Sequence, residues 1–142
     1  MQKRLVITAV GLVLVVLPLL SGCSRQPADP IASARTLADA PDWVSTPTGT
    51  DRGEVELETD GALPAESLQC LTDASGAGDV ASLAWVRRTT EGDPTPYFVQ
   101  TDGAGATIAS TAAYDTYGQG GWHEYGCPDI AALPGCSDEA DR

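Results

Sequence analysis

A single long apolar run, residues 5–20, dominates this chain, and nothing comparable recurs. Lys3 and Arg4 precede it, Thr8 is its one polar residue, and Pro18 interrupts it near the end. A basic head, an apolar body and small residues behind it form the layout of a secretory signal. The competing reading is a membrane-spanning helix, which needs about 20 apolar residues to cross roughly 30 Å of hydrocarbon. This run is shorter and carries a proline, so residues 1–22 read as a signal that is removed. Whatever folds must come from the residues behind it, where apolar side chains arrive singly or a few at a time.

The run closes on Leu20-Ser21-Gly22-Cys23. These four residues resemble the lipobox of bacterial lipoproteins: an aliphatic residue, two small ones and a cysteine. The residue types suit the chemistry. A thiol can be alkylated to a thioether, which is stable where an ester would hydrolyse, and small side chains let extended backbone enter a protease groove. The resemblance implies a diacylglyceryl group on the Cys23 sulfur and cleavage between Gly22 and Cys23. Two acyl chains hold a protein stably at a bilayer where one holds it only reversibly. The expected location is therefore the extracytoplasmic face of the cell membrane, with the bilayer itself as a partner through the anchor.

Charge narrows the other partners. Cleavage removes Lys3 and Arg4, leaving six arginines against all twenty acidic residues, a side-chain charge near −14. Such a chain is not expected to bind nucleic acid, whose affinity for proteins rests on cationic side chains. The carboxylates are scattered, without the spaced D-x-D-x-D-G pattern of a calcium loop, and they read first as a solubilising surface.

Residues 23–52 read as the lipidated cysteine and a flexible, disordered tether. Ala, Pro, Ser, Thr and Asp dominate this stretch, and its apolar residues (Ile31, Leu37, Trp43, Val44) are isolated. Without a sustained period they cannot bury enough surface to offset the entropy of ordering. Residues 53–127 read as a small α+β domain. Val55 and Leu57 alternate with glutamates, as in a strand with one wet face. Leu63-Pro64-Ala65-Glu66 starts a helix that Gly76 and Gly78 stop, with Leu68, Leu71 and Ala74 along one side. Strands are expected around Leu83–Val86, Tyr97–Val99, Ile108 and Trp122–Cys127. They are separated by turn signals at Glu91-Gly92-Asp93-Pro94, Asp102-Gly103 and Gly118–Gly121. One helix on an antiparallel meander follows, burying Leu68, Leu71, Trp85, Val99 and Ile108 together. Residues 128–142 read as an acidic tail, from which Ile130, Leu133 and Cys136 could fold back.

Cys70-Leu71, Thr89-Thr90-Glu91-Gly92-Asp93-Pro94, Tyr97, Asp102-Gly103, Asp115, Tyr117-Gly118, Trp122 and Cys127 together resemble a group of small actinobacterial lipoproteins of unknown function. The most specific piece is the T-E-G-D-P turn combined with W-x-x-x-x-C. The resemblance supplies no activity. It implies a disulfide between the helix cysteine and the one after the tryptophan, Cys70 to Cys127, while Cys136 departs from the pattern. A staple between the first and last elements of a small core points the same way. Closing that long loop is worth roughly 4 kcal/mol in a chain-entropy treatment, against about 2.7 for Cys127 with Cys136.

Reactive constellations are scarce. His123 is the only histidine and no G-x-S-x-G elbow accompanies it. No C-x-x-C occurs, so neither a metal nor another cofactor is expected. Arg87 and Arg88 read as flanking acidic neighbours rather than as an anion site. Tyr97, Tyr114, Tyr117, Trp122 and Tyr125 could line a groove for glycan or peptide, but a small domain needs such residues for its core. The expected function is a lipid-anchored, non-catalytic binding or accessory module of the cell envelope, meeting an envelope protein or glycan. The alternative is a cell-envelope hydrolase using carboxylates.

Overall fold

The computed structural model describes residues 26–58 and 60–136. Their centre is a five-stranded sheet in the order β1-β2-β3-β4-β5, formed by Thr50–Glu56, Ala81–Arg88, Pro94–Thr101, Ala106–Thr111 and Trp122–Cys127. β1 pairs with β2 in parallel, and each later neighbour pairs antiparallel. The class is α+β, and the sheet is mixed, because the helix α3 (Ala65–Ala77) carries the chain from the end of β1 back to the start of β2. A parallel pair needs such a crossover. Glu66 in the first turn complements the helix dipole. Gly78 ends the helix in the left-handed region at φ 75°, where a side chain would be strained, and the Asp79 N–H reaches back to the Ala74 carbonyl.

β2 has six consecutive buried residues, because both faces of the sheet are covered. On one face Leu83, Trp85, Val99 and Ile108 pack with Leu71 and Ala74 of α3 and with Ile130 and Leu133. Leu68 packs at the margin of this cluster. Trp85 and Tyr97, opposite each other in the β2–β3 register, stack with ring centroids 5.3 Å apart. Thr101 seals the far end, donating to the Asp79 carbonyl and accepting from the Ala81 N–H, both at 2.8 Å.

The second face carries Ala84, Val86, Phe98 and Ala109, and residues 30–45 cover it. The flexible tether expected over residues 23–52 is thus corrected for this stretch. Two short helices form, α1 (Pro30–Arg35) and α2 (Asp42–Ser45), burying Ile31, Ala34 and Val44. Asp29 caps α1 by accepting from the Ala32 N–H at 2.9 Å, with Pro30 at the first helical position. Trp43 lies on the same face and donates to Glu124 of β5 at 2.8 Å. Arg35 spans the join: its guanidinium sits 5.2 Å above the Phe98 ring and donates to the Val44 carbonyl at 3.3 Å. Isolated apolar residues suffice here because a sheet face waits to receive them. β1 also begins earlier than expected, at Thr50.

The tail folds back over its first part. A 3-10 turn, Ile130–Ala132, with Asp129 capping it through the Ala131 N–H, tucks Ile130 and Leu133 into the α3-side core. The disulfide joins Cys127 to Cys136, and Cys70 is a free, half-buried thiol, which overturns the expected Cys70–Cys127 bridge. Geometry supplies the reason. With Leu71 and Ala74 facing the sheet, α3 turns Cys70, Asp73 and Ala77 toward the β1 edge, beside Thr50 and Val80. Its other flank, Thr72, Ser75 and Gly76, faces Gly105, Pro128 and Ile130. Cys127 ends β5, at the opposite edge of the sheet from β1.

Candidate functional site

The register places two loops at one end of the sheet. Arg88 opposite Pro94 closes the β2–β3 turn, and Thr111 opposite Trp122 closes the β4–β5 loop. The pairing of Tyr97 with Ser110 puts these loops side by side. Thr89-Thr90-Glu91-Gly92-Asp93 folds on itself: the Thr89 N–H donates to the Asp93 carbonyl, and the Asp93 N–H to the Thr89 hydroxyl. Gly92 takes φ 89°, which makes glycine the fitting residue there.

That turn aims the Asp93 carboxylate inward, where it is 5% exposed. Its Oδ2 accepts from the Thr116 N–H at 2.7 Å, and its Oδ1 from the side-chain amide of Gln26. Three segments distant in sequence therefore meet on one carboxylate. The Thr116 N–H, then the Thr116 hydroxyl and the Gln26 amide, hold the Asp93 carboxyl below the usual aspartate range. Beside it, the Thr90 hydroxyl and then the backbone and Thr89 lower Glu91. Tyr117, one residue beyond Thr116, is 80% exposed and Val80 37%; they are the exposed large apolar side chains among the described residues.

A second feature is a groove of about 650 Å³ between α3 and the β1 edge, where Cys70, Asp73, Arg52, Thr50, Asp79 and Val80 meet. Gly49 makes the passage over Val80 possible, since a Cβ there would collide with the Val80 carbonyl. One cation, two carboxylates and a thiol line this wall. Among the described residues no three His, Cys, Asp or Glu side chains gather as a metal site.

The other sequence candidates do not converge. Gly22 and Cys23 lie outside the described residues, as do the rest of the signal and residues 137–142. His123 stands exposed on β5, its ring 5.8 Å from Tyr125. Arg88 meets Glu56, with Nε at 3.0 Å and Nη2 at 2.7 Å from one oxygen, rather than Glu91. Tyr97 and Tyr125 belong to the α3-side core, Tyr114 and Trp122 to the other, and burial pushes the Tyr114 phenol up. These aromatic residues pack on two faces and form no common groove. Sequence reasoning missed the clasp on Asp93, although the T-E-G-D-P turn that builds it was, with W-x-x-x-x-C, the most specific piece of the resemblance. No known protein family, curated protein or solved structure matches this chain.

Proposed function

We propose that this protein is a lipid-anchored extracytoplasmic lipoprotein that acts as a binding or accessory module of the cell envelope, without catalysis. The observation that carries the reading is Leu20-Ser21-Gly22-Cys23 at the end of the one long apolar run. The likeness to small actinobacterial lipoproteins belongs to the same proposal. Cys23 bears the diacylglyceryl group, and the folded domain meets an envelope protein or glycan. Two features support the non-catalytic part: the single histidine is on an exposed strand face, and the aromatic residues are spent on packing.

The test is made on the chain expressed with its own signal. Mass spectrometry of the amino-terminal peptide should show a diacylglyceryl thioether on Cys23, and the protein should enter the detergent phase on phase separation. Cys23→Ala should abolish both. Wild-type protein that stays in the aqueous phase with residues 1–22 intact would disprove the anchor. Reproducible turnover of peptidoglycan, esters or phosphates by the pure domain would disprove the non-catalytic part.

A further inference from the structure

We propose that the sheet end carrying the β2–β3 turn and the β4–β5 loop rests on the bilayer, with Tyr117 in the headgroup layer. This rests on the lipid-anchor reading and adds an orientation to it. Chain length is the first argument. Only Ser24 and Arg25 separate Cys23 from Gln26, so the three steps span at most about 11 Å. Gln26 is not the start of a loose leash, because its side-chain amide is bonded to Asp93 and Asp29 caps α1 three residues on. The Cys23 backbone therefore stays within about 11 Å of the Gln26 backbone, whose side chain reaches the Asp93 clasp, and this end of the domain is drawn to the surface that holds the lipid.

Tyr117 is the second, independent argument. A tyrosine with 80% of its surface exposed is an unusual feature on a domain whose other aromatic rings are all at least half-buried, apart from the His123 imidazole. It sits on the one loop that the clasp holds beside Gln26, through the Thr116 N–H. Tyrosine combines apolar area with a polar tip, and such rings concentrate at the membrane–water boundary. Charge agrees. Between Ala112 and Gly121 the only charged residue is Asp115, whose Oδ1 is engaged by the Tyr117 N–H at 2.9 Å. Glu56, Glu58 and Asp60 lie toward the same end of the sheet but at the β1 edge, with β2 and β3 between them and the β4–β5 loop, so the contact is made on the β4–β5 side. Glu91, in the adjoining β2–β3 turn, is exposed and keeps the contact shallow. The opposite end, at the β3–β4 turn, lies about eight strand residues away, on the order of 25 Å. That is well beyond the headgroup layer of this surface.

The experiment uses the full lipidated chain in vesicles of phosphatidylethanolamine and phosphatidylglycerol containing a lipid with a nitroxide near the headgroup. In a Cys70→Ser background a single fluorophore is placed at Gln119→Cys, in the β4–β5 loop, or at Ala104→Cys, in the β3–β4 turn. Both positions are exposed. The nitroxide should quench the probe at 119 several-fold more than the probe at 104, and adding Tyr117→Ala should reduce that difference. Equal quenching at the two positions, with the diacylglyceryl mass present on Cys23, overturns the docking alone. Quenching unaffected by Tyr117→Ala overturns the role of the ring. Wild-type protein lacking the diacylglyceryl mass overturns the anchor, and the docking with it.

Discussion

The Thr116 N–H donates to the Asp93 carboxylate at 2.7 Å, joining two loops of the sheet that are 23 residues apart in sequence. The same carboxylate accepts from Gln26, 67 residues away. A buried, multiply bonded carboxylate is depressed in pKa, and its removal leaves buried donors unsatisfied. Asp93→Ala should therefore lower the denaturation midpoint and loosen residues 112–118, visible as faster amide exchange there.

The same bonds set a pH dependence. The folded-state pKa of Asp93 lies below the ordinary value of 3.8, so the charged form is favoured by folding. Its contribution is complete at neutral pH, above the unfolded value, and is lost as pH falls through the folded value. The stability gap between wild type and Asp93→Asn should be widest near neutrality and close below about pH 3.8. A gap that stays constant down to pH 2 would show that the charge is not what the Thr116 and Gln26 donors hold.

Cys127–Cys136 should be recovered as a linked pair from a non-reduced digest, with Cys70 alkylated. Cys136→Ser should cost about 2–3 kcal/mol, the chain-entropy value for a short loop. Cys70→Ser should change the denaturation midpoint little.

Residues 30–45 should behave as core. Ile31 is 4% exposed, and Ile31→Ala should cost roughly 2–5 kcal/mol in chemical denaturation. Native protein should also resist tryptic cleavage after Arg35. Rapid cleavage there, with a cost near zero for the substitution, would mean that α1 leaves the sheet freely.

Arg35 and Arg88 should differ although both form ion pairs. Arg88 meets Glu56 with both side chains exposed, and such pairs contribute about 0–1 kcal/mol and weaken with salt. Arg35 lies over Phe98 and donates to the Val44 carbonyl, while its contact with Glu54 is longer, at 3.8 Å. Arg35→Ala should cost about 1–2 kcal/mol with little salt dependence. Double-mutant cycles with Phe98→Leu and Glu56→Gln separate the two cases.

Much of the sheet was legible because its signals are local. Pro64 and Gly78 bracket α3, Asp102-Gly103 turns β3 into β4, and the Leu83–Val86 alternation marks β2. The parallel pairing of β1 was not legible, since a strand's neighbour is set by where α3 returns the chain. The cover on the second face was also missed. Helices of six and four residues are too short to show a period. Two clues were nevertheless present: Asp29-Pro30 is a helix start, and Ala84 and Val86 made the second face of β2 apolar, which calls for something to cover it. The disulfide was missed because spacing along α3 shows that Cys70 lies about 100° from Leu71, but not that this flank faces β1 rather than β5. Of the candidate site, the T-E-G-D-P string was visible as a turn, while its carboxylate's partners, Gln26 and Thr116, lie too far away in sequence to be read from it.

The cover over the second face imposes an order of assembly. Every pair of neighbouring strands is consecutive in the chain, so the sheet can grow one element at a time as the polypeptide emerges. Trp43 must wait for Glu124, 81 residues later, and Ile31 and Val44 must wait for Phe98 and Ala109. Closing so long a loop carries an entropic cost that local pairings avoid. The first segment of the domain to be made is thus the last to find its place, and the apolar side of the sheet stays open until it does.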